Sequence, residues 1–113
     1  MRKKMIQMVF SCVVIIGLVQ LTASSIRAQS EAETLFKAKC APCHGADGKA
    51  ETTMGKTLKI PAFGSPAAQG QSEAQLTEIV TKGKNKMPAY DGKLSKEQIA
   101  GLVAYVRELG KKH

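Results

Sequence analysis

A chain of 113 residues has the length of a single domain. Its 17 basic and nine acidic side chains give a formal net charge of +8, but four of the basic residues and no acidic one lie in the first 28 positions, so the remainder carries only +4. With no Trp, two Tyr and three Phe, this moderate charge fits an acidic protein partner or an anionic surface, and no nucleic-acid partner is expected. So few large side chains also predict a thin core, which in small domains usually needs a disulfide, a metal or a cofactor.

The first 28 residues have the layout of a secretory signal peptide. A basic start at residues 2–4 precedes an apolar run over residues 5–21, and the small Ala28 precedes a polar stretch. We predict cleavage after Ala28, with Ala23 as a second site, and a mature domain of residues 29–113 in the periplasm or otherwise outside the cytoplasmic membrane. The alternative is an uncleaved membrane anchor. The run of about 17 residues is short for a span of about 20, however, and it contains polar residues (Gln7, Ser11 and Gln20).

The first helix of the mature domain is predicted over residues 30–40. Ser30 is a suitable N-cap, and the helix dipole favours the acidic residues of the first turn (Glu31 and Glu33). Ala32, Leu35 and Phe36 share one face at helical spacing and are expected in the core. The helix therefore places its last residue, Cys40, beside that core.

Cys40-Ala41-Pro42-Cys43-His44 is the C-x-x-C-H pattern of covalent c-type haem attachment. Two thiols at this spacing can add to the two vinyl groups of one porphyrin. The next residue then lies beside the iron, so His44 is expected as an axial ligand. Cleavage of the leader would remove Cys12 and leave Cys40 and Cys43 as the cysteines of the mature chain.

Other chemistries also use such a pair of cysteines. In an exported protein the pair could form a disulfide. A thioredoxin-like oxidoreductase would need a βαβ pattern around the motif, whereas the sequence predicts helix, loop and helix. A zinc module would use Cys40, Cys43 and His44, but it needs a fourth ligand and the sequence has no second Cys/His pair.

Residues 45–70 show neither strand alternation nor a helix of useful length. Glycines on either side of Asp47 mark turns at the start of this stretch. A structureless segment of this length is unusual in a compact domain, and wrapping a flat cofactor is one reason for it.

Two further helices are predicted from capping boxes, in which a Ser precedes the helix and a Gln follows three residues later. The second helix starts after Ser72 and ends at Gly83. The third starts after Ser95, runs to about Leu109 and is ended by Gly110. Each has an apolar face at helical spacing (Leu76, Ile79 and Val80 in the second; Ile99, Leu102, Val103, Val106 and Leu109 in the third).

Met87 lies in the loop between these two helices, which is an unusual setting for a methionine of the core. Pro88 follows it directly and favours an extended backbone at Met87, outside any helix. Four lysines surround this methionine in the sequence (Lys82, Lys84, Lys86 and Lys93). They are either an ordinary solvated surface or a patch that steers an acidic partner.

The haem motif, Met87-Pro88 about forty residues later and the closing amphipathic helix together resemble a small class I c-type cytochrome. The resemblance covers residues 30–110 and implies an all-α fold of three main helices and long loops around one covalent haem c. It implies that Cys40 and Cys43 hold the haem and that His44 and Met87 are the axial ligands. It further implies that a Pro carbonyl accepts a hydrogen bond from the His44 Nδ1–H; Pro61 is the best match, and Pro66 is the alternative. It also implies that the first and last helices cross, with Phe36 paired with Tyr105 and the small Ala32 at the crossing.

The function implied is that of an exported, monomeric electron carrier that passes single electrons between redox proteins and is not an enzyme. A thioether ligand favours ferrous iron and raises the reduction potential, and a fully ligated iron suits electron transfer. The nearest alternative is a haem protein whose Met87 dissociates, which would open a ligand-binding or peroxidatic site. Met54 and His113 are weaker candidates for the second axial ligand, because Met54 follows the motif too closely and His113 is terminal.

Overall fold

The computed structural model describes the backbone of all 113 residues and every side chain outside residues 18–22. This backbone forms six helices and no strand, with two isolated bridges in the loop before the last helix. The prediction of an all-α fold is confirmed. The helices are α1 (Arg2–Lys39), α2 (Ala41–His44), α3 (Thr53–Thr57), α4 (Pro66–Gln69), α5 (Glu73–Lys82) and α6 (Lys96–Lys112).

Helix α1 begins much earlier than the sequence predicts. The predicted start at Ser30 is wrong, because the helix continues through that residue and nothing in the sequence between residues 18 and 39 is a proline or a glycine that would interrupt it. The chain nevertheless divides into two units, Met1–Ser30 and Glu31–His113. In the first unit, all the described side chains are exposed. Within the described residues, no helix combines the length and the apolar character needed to span a bilayer.

The core of the second unit lies between the end of α1 and α6. Phe36 is fully buried, and its ring centroid lies 5.2 Å from that of Tyr105 and 6.0 Å from that of Phe63. Burial of four predicted apolar residues of α6 is confirmed (Ile99, Leu102, Val103 and Leu109), and Val106 is half-buried. The aromatic pair expected at the helix crossing is therefore present, and half-buried Cys40 packs against the same cluster.

Both predicted capping boxes are confirmed. Ser72 and Ser95 each accept a hydrogen bond from the backbone N–H of the Gln three residues later, and each Gln side chain accepts from the Ser N–H. Helix α5 ends at Lys82, followed by Gly83 with φ +76°. The prediction that Gly110 ends the last helix is wrong, because α6 continues to Lys112. Gly110 is instead a point of close packing, since a Cβ there would lie 2.8 Å from the Phe63 carbonyl oxygen.

The predicted structureless stretch contains two short helices. Helix α3 is capped by the Thr52 hydroxyl, which accepts from the Gly55 N–H at 2.9 Å. Helix α4 is capped by Ser65 and starts with Pro66, whose fixed φ suits the first helical position. Helix α3 has five residues and helix α4 has four, so both are too short to show the apolar periodicity by which longer helices are predicted.

Candidate haem site

The C-x-x-C-H motif forms one helical turn directly after α1. The Cys40 carbonyl accepts from the backbone N–H groups of Cys43 (3.2 Å) and His44 (2.9 Å), so the two cysteines and the histidine are on a single turn. Pro42 lies in the first turn of α2, where a missing N–H costs nothing. Gly45 then leaves the helix with φ +78°, a conformation that favours glycine. This local geometry gathers two free thiols and one imidazole within five residues.

A second segment of the chain holds this turn in place. The Thr52 hydroxyl donates to the Cys43 carbonyl at 2.9 Å while it caps α3. Gly55 of α3 is buried against the same turn, because a Cβ at that position would lie 2.7 Å from the Cys43 carbonyl oxygen and closer still to that of Ala50. The Ala50 N–H in turn donates to the His44 carbonyl at 2.8 Å. Residues 50–55 therefore fix the backbone that carries Cys43 and His44.

Burial favours the uncharged forms of Cys40 and His44. Burial raises the pKa of the Cys40 thiol, with a smaller opposing effect of Lys39. Burial lowers the pKa of His44, which favours the neutral imidazole that binds metals. The His44 ring stacks on Phe63, with centroids 4.8 Å apart and planes inclined by 23°. Phe63 thus links the imidazole to the aromatic cluster around Phe36.

The His44 Nδ1 atom is buried and has no hydrogen-bond partner among the described residues. The bond from His44 to a Pro carbonyl that the resemblance implies is therefore not made in this structure. Of the two prolines considered, Pro66 already accepts from the Gly70 N–H at 2.9 Å, whereas no hydrogen bond to the Pro61 carbonyl is present within the described part of the chain. Of these two prolines, Pro61 is therefore the one whose carbonyl oxygen accepts no hydrogen bond within the described residues.

Met87 lies in the loop of residues 83–95 between α5 and α6, which we call the Met87 loop. Its N–H donates to the Lys84 carbonyl at 2.9 Å and its carbonyl accepts from the Lys84 N–H at 3.2 Å, so Met87 closes a tight turn. The side chain is half-buried. Gly83 packs against this turn, because a Cβ there would lie 2.6 Å from the Met87 carbonyl oxygen.

Tyr90 connects the Met87 loop to the motif. Its hydroxyl donates to the carbonyl of Lys39, the residue before Cys40, at 3.3 Å. Burial raises the pKa of Tyr90, and the nearby Cys40 and Cys43 add smaller effects in the same direction. The structure thus brings the Met87 loop next to the two cysteines, although no described hydrogen bond or ring contact joins Met87 itself to His44.

The structure argues against the alternative chemistries. No strand occurs in the described backbone, so the βαβ pattern of a thioredoxin-like site is absent there. Although Cys40, Cys43 and His44 share a turn, no group of three or more His, Cys, Asp or Glu side chains among the described residues is placed to hold a metal ion, so the structure gives no support to a zinc module. Cys40 and Cys43 are both free thiols rather than a disulfide. The side chain of Met54 is 48% exposed and that of His113 is exposed.

A family model described as cytochrome C oxidase, cbb3-type, subunit III matches residues 27–106. The chain belongs to this family of c-type cytochromes. It is 42% identical over 80 residues to a cytochrome c6 of Nostoc sp., which is 68% of this chain and 65% of that protein. It is 36% identical over 111 residues to a cytochrome c6 of Thermosynechococcus vestitus, which is 94% of this chain and 91% of that protein. It is also 35% identical over 85 residues to the cbb3-type cytochrome c oxidase subunit FixP of Bradyrhizobium diazoefficiens, covering 72% of this chain but 27% of that subunit.

The cofactor of this cytochrome is one covalent haem c, as predicted. The residues present fit that group. The Nδ1 atom of His44 is buried, and no atom of the described protein forms a hydrogen bond with it. Two free thiols lie on the same turn, and an imidazole nitrogen with a thioether sulfur is a donor set that haem iron accepts.

Three contacts near the site were missed by the sequence analysis, one each of Thr52, Tyr90 and Phe63. Thr52 had a recognisable signal, because a Thr followed by a short helical segment is a common N-cap. The hydrogen bond from Tyr90 to Lys39 joins residues 51 positions apart, and no pattern in the sequence predicts it. Stacking of Phe63 on His44 also depends on the folded path of the loop.

The lysines around the Met87 loop are not equivalent. Lys82 forms an exposed ion pair with Glu78 at 2.9 Å, which satisfies its charge locally. The Lys93 ammonium lies 5.9 Å from the centre of the Tyr90 ring. Lys84 and Lys86 are exposed and form no ion pair within the described residues. Lys84, Lys86 and Lys93, which we call the loop lysines, therefore leave three positive charges without an acidic partner next to the Met87 loop.

Proposed function

We propose that this chain is an exported carrier of single electrons, in which Cys40 and Cys43 hold one haem and His44 and Met87 bind its iron. One observation carries the proposal: two free thiols and a buried imidazole lie on a single turn, and the Met87 loop is tied by Tyr90 to the residue before that turn. The similarity to cytochromes c6 over most of their length supports the same role.

The haem supplies a one-electron couple at its iron. The residues of this chain set its environment. With the haem bound, His44 and Met87 would hold its iron, the Met87 thioether would favour the reduced state, and ligation by two protein side chains would leave no open site for a substrate. The chain is therefore a carrier and not an enzyme in this proposal.

His44 is kept neutral by burial, which leaves one ring nitrogen free to bind iron. The other nitrogen, Nδ1, would donate to a backbone carbonyl, and such a bond fixes the ring and increases its basicity. The Pro61 carbonyl is the proposed acceptor, because the Pro66 carbonyl is already used within α4. The Phe63 ring stacks on one face of the imidazole.

An absorption spectrum of the purified, exported protein tests this function. We expect haem that stays with the polypeptide after denaturation and six-coordinate, low-spin iron with the weak absorption band of thioether ligation. Met87→Ala should abolish that band and leave an open position on the iron. Met54→Ala is the matched control, because Met54 is the other methionine of residues 29–113 and should leave the spectrum unchanged.

Three results would contradict the proposal in different ways. Absence of covalent haem would remove it altogether. Loss of the thioether band in Met54→Ala, but not in Met87→Ala, would show that Met54 rather than Met87 binds the iron. Rapid reaction of the wild-type ferrous protein with carbon monoxide would favour the alternative in which Met87 dissociates and opens a ligand-binding or peroxidatic site.

The partners are proposed to be redox proteins with an acidic docking surface. The exposed loop lysines carry positive charges beside the loop that holds Met87, and charges at the rim of an interface mainly raise the association rate. Redox encounters of this kind bury small interfaces, under about 1,200 Å². No nucleic-acid partner is proposed, and the chain is proposed to act as a monomer.

Electron transfer measured against ionic strength tests the docking surface. Replacement of the three loop lysines by Gln should lower the second-order rate at low salt by about tenfold and flatten its salt dependence. Lys112→Gln is the control, because Lys112 lies at the opposite end of α6, about 24 Å along the helix from its start. A wild-type rate that does not change with salt would contradict the proposed steering.

Export is proposed to depend on residues 1–28, with cleavage after Ala28. The division of the chain after Ser30 and the exposure of the described side chains before it support a leader that takes no part in the core. Mass spectrometry of the native protein should find a chain that starts at Gln29 and carries one haem. A mass that includes the leader would favour the alternative of a membrane anchor.

A further inference from the structure

Tyr90 has a role that neither the haem motif nor the proposed ligands explain. Its hydroxyl donates a hydrogen bond to the Lys39 carbonyl, which joins the Met87 loop to the end of α1. Lys39 is the last residue of α1, directly before Cys40. No backbone N–H in the described chain donates to that carbonyl, so the Tyr90 hydroxyl supplies its partner.

Hydrogen bonds also hold the backbone of Tyr90. Its N–H donates to the Val80 carbonyl at 3.1 Å, and its carbonyl accepts from the N–H groups of Lys93 and Leu94, both at 3.0 Å. Only Pro88 and Ala89 separate Tyr90 from Met87. Because the proline ring restricts the backbone of this short connection, movement of Tyr90 away from α1 would carry Met87 with it.

We infer that Tyr90 is a positioning residue for the axial ligand: its hydroxyl ties the Met87 loop to the end of α1 and so keeps the Met87 sulfur in register with the group held by Cys40 and Cys43. This inference rests on the proposed ligation of the iron by Met87. In this inference the Met87 loop exchanges between a closed state, in which Met87 binds the iron, and an open state without that bond. The hydroxyl of Tyr90 favours the closed loop.

Imidazole binding to the ferric protein measures this equilibrium, because added imidazole binds only the open fraction and its apparent affinity is proportional to that fraction. Because this hydrogen bond is long (3.3 Å) and solvent-exposed, its loss should raise the open fraction about twofold to threefold. We therefore expect Tyr90→Phe, as the native holoprotein, to bind imidazole about twofold to threefold more tightly than the wild type. The substitution keeps the ring and its contact with the Lys93 ammonium, so it isolates the hydroxyl.

Tyr105→Phe is the matched control. Tyr105 packs against Phe36 in the core, and its hydroxyl makes no hydrogen bond within the described residues, so its removal should leave the imidazole affinity unchanged. Urea unfolding of both variants, measured in parallel, reports any general loss of stability. A purely structural role for Tyr90 would lower the unfolding midpoint without a change in imidazole affinity.

The outcomes separate this inference from the proposed function. A wild-type protein that shows thioether ligation, together with a Tyr90→Phe variant of unchanged imidazole affinity, would overturn the inference alone. An equal increase in Tyr105→Phe would also overturn it, because the effect would not belong to the Tyr90 hydroxyl. A wild-type protein without thioether ligation would overturn the proposed function and this inference with it.

Discussion

Two glycines of α6 should respond in opposite ways to the same substitution. Gly101 and Gly110 lie in one helix, and replacing a glycine by alanine inside a helix stabilises it by about 0.8–1 kcal/mol through helix propensity. At Gly101 the nearest atom to an added Cβ would be the Ala32 Cβ at 3.6 Å, which is ordinary van der Waals contact. Gly101→Ala should therefore stabilise the protein by about 1 kcal/mol.

At Gly110 the added Cβ would lie 2.5 Å from Gln69 Nε2 and 2.8 Å from the Phe63 carbonyl oxygen, two atoms that are hydrogen-bonded to each other. Relief of this overlap would require movement of backbone, and overpacking of this kind typically costs about 1–3 kcal/mol. The propensity gain is also smaller here, because Gly110 lies in the last turn before α6 ends at Lys112. Gly110→Ala should therefore destabilise the protein by about 1 kcal/mol or more.

Urea unfolding of the two holoprotein variants measures this difference. In a domain of this size a change of about 1 kcal/mol shifts the melting temperature by about 4–8 °C, so thermal unfolding should separate them clearly. Equal destabilisation of both variants would refute the reasoning, because it would mean that the approach of α1 to α6 at Ala32 leaves no room for a methyl group. Stabilisation by Gly110→Ala would refute the close packing assigned to that residue.

Two further predictions concern the core and a helix terminus. Phe36→Ala should destabilise the protein by about 3–5 kcal/mol, because Phe36 is fully buried between Phe63 and Tyr105. A loss of less than about 1 kcal/mol in urea unfolding would contradict its central place in the core. Ser95→Ala should cost about 1 kcal/mol by the same measurement, because it removes the acceptor of the Gln98 N–H at the start of α6, whereas an unchanged midpoint would show that the capping box does not contribute.

Features set by neighbouring residues were predicted well. The two capping boxes follow from a Ser and a Gln three positions apart, and both are present. The buried face of α6 follows from helical spacing. The pairing of Phe36 with Tyr105, which are far apart in the chain, was instead predicted from the family resemblance. The roles of Cys40, Cys43, His44, Met87 and Pro61 remain predictions that the proposed experiments test.

The failures also have physical reasons. Ser30 is a good N-cap in isolation, but an N-cap residue starts a helix only where the preceding backbone is not already helical, and no proline or glycine interrupts α1 between residues 18 and 30. Gly110 is a common kind of helix terminator, yet here a glycine is needed because the Phe63 carbonyl passes close to the helix. At Ser30 the helical backbone that precedes it decided the outcome, and at Gly110 the packing of a distant segment decided it.

By itself, the sequence determined the helical class, the family, the haem motif and the position of a methionine beside a proline. The helical class and the haem motif depend on residues within a few positions of one another, and the family was indicated by the order and spacing of such local motifs along the chain. Only the tertiary structure decided that the Tyr90 hydroxyl reaches Lys39, that Phe63 stacks on His44 and that Thr52 holds Cys43. Those contacts join segments that meet only when the loops pack against the helices, and no local spacing encodes where such segments meet.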